Sequence, residues 1–486
     1  MAARITSRDR AATSAAAKTV RVWEDDPLAT GAVPIERPVP KLPTGRMRVT
    51  IDVAAPPARP YEPGTLEFRY WVAAEALKRA VSFWSPLLPS RTTWQQGNTL
   101  PVRLDAGDRL NALYNRASLV FFHSTVEGVT IFTGESPDVV SHEVGHAVLD
   151  AVRPQLWDAM SHEVAAFHES FGDISAVLTA LQLPTVRQRF VAETTGRYRA
   201  SRVSRVAEQL GWGVRQRQPC SVEPDCLRNA VNCFAYQPPD QLPLRGPAST
   251  LSSAPHSFSR VFTGAFFEAF AGMVVTLSLQ PTADHVLEAS VDAGRLLIAA
   301  VQAAPIAPAY YAQVAGHLLD ADRTLFAGKY ANALRFGLLS RGVLSPPSAG
   351  GVAEPAAAAA AVPSAPRRRA SQRGEELPVV AVPAHELGLG DRPLLVRAPT
   401  ESGRLALAAA TNVDGAPARA PSAESAARAF LAELVMRDRI RRPDETPVDI
   451  AEPHVRLRTH EVVEEGGDLV VVRRLFERAG TLPAGA

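Results

Sequence analysis

The sequence predicts an α+β protein: a first lobe of mixed strands and helices, a mainly α-helical second lobe, and a separate small α+β C-terminal domain. Three observations predict it. Strand-like runs (RMRVTIDV at 46–53, LPVRL at 100–104, ASLVFFH at 117–123, GVTIFT at 128–133) gather before residue 135. Helical periodicity then dominates to about residue 327. A low-complexity stretch rich in Ala, Pro and Arg separates this part from a final unit with one amphipathic helix and a hairpin.

The elements follow in order. Residues 1–45 are polar and Pro-rich and read as a disordered or irregular region, with VRVWE at 20–24 as a strand candidate. TLEFRYWVAAEALKRAVSFW (65–84) is a long amphipathic helix ended by Pro86 and Pro89. STVEG turns a hairpin before 128–133. The next helix has a defined start, with Ser136 as N-cap, Pro137 at the first helical position and Asp138 at the positive end of the dipole; it stops near Pro154. Another helix covers roughly 161–183, and further helices are expected at 186–210, 257–280, 283–304 and 308–327, with 212–255 loop-rich. Residues 46–330 form the main domain, with lobes at about 46–155 and 156–330; 345–377 is a flexible linker whose RRR (367–369) is a solvated charge cluster. The last unit, 378–486, has a helix at 423–440 and strands at 454–463 and 468–476 joined by EEGG, with His454 and His460 too isolated to suggest a site.

Composition bounds the function. The 486 residues exceed one ordinary core. A net charge of +2 gives no electrostatic case for nucleic acid. No apolar run approaches the length of a bilayer span, so no membrane partner is expected. The first residues lack the apolar core of a secretory signal, which points to the cytoplasm, with export by another route left open. Cys220, Cys226 and Cys233 fit neither a disulfide framework nor a zinc-ribbon spacing; they read as thiols or as one bridge and a free thiol.

The chemistry gathers around HEVGH, residues 142–146. Positions four apart share a helix face, so His142 and His146 can offer two imidazole nitrogens to one ion. Zinc prefers four ligands, and a catalytic site uses three from the protein and keeps one place for water. Glu143, beside the first histidine, can act on that water as general base. The third ligand candidate is Glu169 in FHESFGDISAVL, on the next helix, with Asp173 one turn further on. Such a carboxylate can accept the spare ring N–H of a ligand histidine and fix its tautomer. His162-Glu163 with His168 is one residue too long for the same motif.

DVVSHEVGHAVLD followed by HESFGD resembles the thermolysin-like peptidases, the gluzincin group, over about residues 65–330. The resemblance implies a thermolysin-like catalytic domain with one catalytic zinc on His142, His146 and Glu169, Glu143 as base and Asp173 behind a ligand. NALYNRASLVFF (111–122) resembles the edge strand that holds substrate as an added strand, which implies Asn111 and Ala112. CLRNAVNCFAY (226–236) implies Arg228 as the residue that grips a substrate carbonyl, and PHSFSRVFTGAFFEAF (255–270) implies His256 as oxyanion donor. The partner so implied is a polypeptide substrate, and the activity a zinc-dependent endopeptidase.

The pattern also departs from that family. No tyrosine lies between Asn115 and Arg197 to serve as second oxyanion donor, although Trp157 is near. Leu251 stands where an acid orients the histidine, with Ser252 or Ser253 as substitutes. Ala180 stands where the calcium cage of secreted members begins its next carboxylate, which argues against calcium. Two alternatives stay open: a degenerate zinc protein that binds peptide or serves as a scaffold, and an aminopeptidase of the same zinc class. The C-terminal domain is a candidate to bind another protein or the catalytic domain.

Overall fold

The computed structural model describes residues 18–351, 376–401, 408–412, 414–447, 449–450, 452 and 457–478. The expected tail at 1–17, most of the linker with its RRR, and His454 lie outside the described residues. The protein is a mixed α+β structure. Strands β1 (Thr19–Val22) and β2 (Ile35–Pro38) form an antiparallel ribbon. It packs on helix α1 (Leu66–Trp84) through Val20, Val22, Phe68 and Trp71. Residues 19–38, expected to be largely irregular, are thus ordered by this apolar contact.

The strands of the first lobe are β3 (Arg48–Ile51), β4 (Thr99–Arg103), β5 (Ala112–Tyr114) and β6 (Leu119–Phe121), with β7 (His123–Val126) and β8 (Val129–Phe132) as a separate hairpin. Helix α2 (Pro137–Val152) carries HEVGH and starts as predicted: the Ser136 hydroxyl accepts from the Val139 N–H. A short α3 (Gln155–Asp158) leads into α4 (His162–Ala180). Two glycines let α2 and α4 approach closely. A Cβ on Gly145 would lie 2.8 Å from the Ser175 Cβ, and one on Gly172 would lie 2.4 Å from the His142 ring. The Ser175 hydroxyl donates to the Ser141 carbonyl and accepts from the Trp84 indole, tying α1, α2 and α4 together behind the motif.

The second lobe contains α5 (Pro184–Thr194), a two-stranded pair β9 (Arg205–Val206) and β10 (Arg228–Asn229), α6 (Glu208–Arg217), α7 (Pro255–Leu277), α8 (Ala283–Ala303), α9 (Tyr310–Phe326), α10 (Ala331–Ser340) and a short α11 (Pro346–Gly351). The helix expected over 186–210 stops at Thr194; 195–207 is not helical and holds β9, and α6 begins at Glu208 and runs into the stretch expected to be loop-rich. The chain turns left-handed at Thr195 (φ 53°) and Gly196 (φ 75°), the Thr195 N–H caps back to Val191, and α5 ends there. Contrary to expectation, one helix does have the length and apolarity of a bilayer span: α7. Its apolar window is 72% buried inside the protein, where it packs on α4 and α10, so its apolarity is accounted for by the core.

The C-terminal unit builds a five-stranded sheet. Its strands are β11 (Val379–Val382), β12 (Leu394–Arg397), β13 (Ile440–Arg441), β14 (His460–Glu465) and β15 (Asp468–Arg473), in the order β11-β12-β15-β14-β13. Helix α12 (Ala423–Met436) covers it through Phe430, Leu431 and Leu434. The strand predicted over 468–476 breaks after Arg473. Two residues later the chain forms β16 (Phe476–Glu477), which leaves this sheet and joins the sheet of the first lobe, ordered β16-β5-β6-β4-β3. The C-terminal unit is also sutured to the rest. Met160 N–H donates to the Arg397 carbonyl, His162 contacts Glu433 at 2.8 Å, and the Thr400 N–H donates to the Ile306 carbonyl.

Candidate metal centre and its groove

The α2–α4 packing brings three side chains to a point. His142, His146 and Glu169 are fully buried or nearly so, and their nearest donor atoms lie within 4.8 Å of one another. The Glu169 carboxylate is 3.5 Å from His142 Nε2 and 3.7 Å from His146 Nε2. These three residues could hold a metal ion. The donor set suits zinc, which takes imidazole nitrogen and carboxylate oxygen. The surroundings fit as well. Neither oxygen of Glu143 and neither ring nitrogen of His146 has a hydrogen-bond partner among the described residues, although all four atoms are buried. Such atoms are rare without a reason.

Electrostatics agrees. Burial pushes the Glu143 carboxyl well above its usual range, with the Glu169 charge adding to the rise. Burial pushes Glu169 up to about 8, against the pull of Arg228. Burial drives His142 and His146 well below the usual imidazole value, so both are neutral and able to ligate. Buried carboxylates beside neutral imidazoles are stabilised by a bound cation. Burial likewise lowers His256 to about 3.

Behind the ligands, Asp173 Oδ1 is 3.1 Å from His142 Nδ1. Arg228 grips the same carboxylate with two bonds, Nε to Oδ2 at 2.7 Å and Nη2 to Oδ1 at 3.0 Å. The resemblance gave Arg228 a substrate carbonyl; the structure gives it Asp173 first. Trp157, the nearby N–H donor, is turned to the Arg473 carbonyl at 3.2 Å. Among the described residues the His256 ring makes its hydrogen bond to the Glu477 carbonyl and none to Ser252 or Ser253; the Ser253 hydroxyl turns to the Pro243 carbonyl instead. Glu163 of the decoy motif accepts from the Tyr236 hydroxyl and the Tyr311 N–H, and His162 meets Glu433, so those two serve packing.

The residues that sequence reasoning did not single out come from β16 and its flank. β16 pairs antiparallel with β5, Phe476 opposite Tyr114 and Glu477 opposite Leu113. The Arg478 N–H donates to the Ala112 carbonyl at 2.9 Å. Asn111 Nδ2 donates to the Glu477 carboxylate at 3.1 Å, His256 Nε2 is 2.6 Å from the Glu477 carbonyl, and Arg228 Nη1 donates to the Arg478 carbonyl at 3.3 Å. The Arg478 guanidinium is buried against Asp173 at 2.8 Å. It is also 2.9 Å and 3.4 Å from the two ring nitrogens of His142, which places it toward the ring face rather than in line with one lone pair. Phe476 stacks on His168 at 4.1 Å and on His146 at 4.9 Å. The signal in the sequence was thin: LFER continues an apolar strand, and nothing in it marks a change of sheet. Beside it a cavity of about 330 Å³ remains, bordered by Glu169, Arg228, His256, Arg439 and His460.

A second acidic group lies apart from this centre. Asp26, Asp138 and Glu208 bring carboxylates within metal-ligand range around a small cavity that Ala180 also lines. Ala180 supplies no carboxylate, and the acids arrive instead from the N-terminal region, the start of α2 and the start of α6. The three cysteines are free thiols, with Cys226 buried.

No protein family and no curated protein matches this chain. Among solved structures, one described as "Precursor of Protealysin, Metalloproteinase from Serratia proteamaculans" is similar to it with a TM-score of 0.39 and 18% identity, covering 56% of this chain and 77% of that one. Likeness at that level carries no argument about activity.

Proposed function

We propose that this chain is a zinc-dependent peptide-bond hydrolase, an endopeptidase with a thermolysin-like catalytic part. The observation that carries the reading is the convergence of His142, His146 and Glu169 at the end of a groove in which β5 accepts an extended peptide segment. When bound, zinc would polarise a substrate carbonyl and acidify a water. The chain's own residues would do the rest. Glu143, buried and without a hydrogen bond among the described residues, takes the proton of the water and hands it to the leaving amine. His256, neutral, donates its Nε2–H to the carbonyl oxygen as charge develops there; the 2.6 Å contact with the Glu477 carbonyl supports that role. Ala112 and Asn111 align the peptide, and Arg228 holds the next carbonyl while bracing Asp173.

The segment paired with β5 continues to the N-terminal side of the Glu477 carbonyl through Phe476, and Leu475 before it clusters with Leu113 of β5. A groove open in that direction favours an endopeptidase over an aminopeptidase. The test is hydrolysis of a peptide library at concentrations high enough to compete for the groove. Wild type is expected to exceed Glu143→Ala by about 100-fold or more. Equal rates, with one zinc bound to each, overturn the peptidase reading.

A further inference from the structure

The contacts of Leu475–Arg478 are those a substrate would make, and they come from the chain itself. The strand direction, the Glu477 carbonyl at His256, the Arg478 N–H at the Ala112 carbonyl and the Arg478 carbonyl at Arg228 form one consistent register. The side chains are held too. Glu477 is gripped by Asn111 and by an ion pair with Arg439. Phe476 lies among His146, His168 and Trp157. Arg478 is fully buried.

The tether is short. β15 ends at Arg473, two residues before the occupying strand. Arg473 is fastened reciprocally to Trp157: its carbonyl accepts the indole N–H, and its Nε donates to the Trp157 carbonyl. A segment fixed this closely meets the groove at a high effective concentration.

We propose that Leu475–Arg478 is a resident, substrate-like occupant that closes the groove in cis, so that the C-terminal unit restrains the site it covers. The inference rests on reading the groove as a peptide site. An intramolecular competitor lowers the fraction of open protein, and the apparent affinity for other peptides falls by that fraction. It therefore raises KM and leaves kcat unchanged.

Two full-length variants test this. Phe476→Ala/Glu477→Ala/Arg478→Ala removes the occupant's side chains. Arg439→Ala leaves the occupant intact and removes one anchor. Hydrolysis of a quenched fluorescent decapeptide is measured for each beside wild type. In parallel, binding of the same peptide, labelled, is measured by anisotropy in a Glu143→Ala background, with circular dichroism and melting curves as folding checks. The triple variant is expected to show KM and Kd lower by about tenfold or more, with kcat within about twofold, and Arg439→Ala a smaller shift in the same direction. If no variant hydrolyses peptide but Kd falls as stated, the occupant stands and the peptidase reading falls. Folded variants whose KM and Kd match wild type overturn the inference. If the triple variant does not fold, Arg439→Ala decides by the same criterion.

Discussion

The groove has two walls of different origin. One is the helix pair α2 and α4, close in sequence and pressed together at Gly145 and Gly172. Its functional atoms are left unmatched: the Glu143 oxygens and the His146 nitrogens have no hydrogen-bond partner among the described residues. The other wall is β5 with β16 laid on it, joined across more than 350 residues of chain. There the backbone contacts are made: Arg478 meets Ala112, Glu477 meets His256 and Arg228 meets Arg478. The contrast teaches where each wall's missing partner comes from. The first wall leaves buried oxygens and nitrogens unpaired among the described residues, atoms that a metal ion could engage. The second already has its peptide.

The largest effect expected follows from that contrast. Adding zinc to metal-free protein should raise its stability by about 4 kcal/mol when free zinc exceeds Kd a thousandfold, read as a rise in Tm. The triple alanine variant of residues 476–478 should show a rise of the same size. A zinc response that disappears with the occupant would mean that the two walls act as one.

A second prediction concerns Glu163, which α4 buries between the Tyr236 hydroxyl and the Tyr311 N–H. Burial raises its pKa from 4.5 to about 7, so the folded state holds a proton that the unfolded state has released. Stability from this group is therefore greatest below pH 4.5, falls as pH rises towards about 7 and is flat above. The loss is roughly 3 kcal/mol. Glu163→Gln should be more stable than wild type at pH 8 by up to about that amount and should match it near pH 5, measured by urea unfolding. No difference between the two pH values would remove the buried charge from the account.

Asp173 joins the walls, since His142 from one and Arg478 from the other both reach it. Asp173→Asn should weaken zinc about 10–100-fold, measured by competition with a chelating dye. The same variant should loosen the occupant, because Arg228 and Arg478 lose the charge they share. The smallest effect belongs to Trp157→Phe, which removes one indole donor from the tether and costs the closed form about 1 kcal/mol. The expected readout is a several-fold lower KM, with zinc binding unchanged.

The same contrast explains what could be read in the sequence. HEVGH, and Glu169 with Asp173, were legible because helical spacing puts each set on one face of its helix; that the two faces meet was implied by the family resemblance. Ser136, Pro137 and Asp138 fixed the start of that helix for equally local reasons. The end of the helix at Thr194 was hidden because the left-handed turn at Thr195 and Gly196 follows a helical pattern with no proline to mark the stop. The span-like apolarity of α7 is a window average: Ser257, Ser259, Arg260, Thr263 and Glu268 interrupt its apolar residues, so no unbroken run marks it, and its neighbours bury it. The departure of the chain from β15 into another sheet was not legible at all. Strand pairing across so much sequence leaves no local periodicity, and RRLFER continues a strand pattern as well as it breaks one.

The most direct test is the metal content of purified full-length protein after dialysis, by elemental analysis of wild type, His146→Ala and Glu169→Ala. One zinc per wild-type chain is expected, and less than about a tenth of that in either variant. Wild type without zinc, or variants that retain it in full, would contradict it.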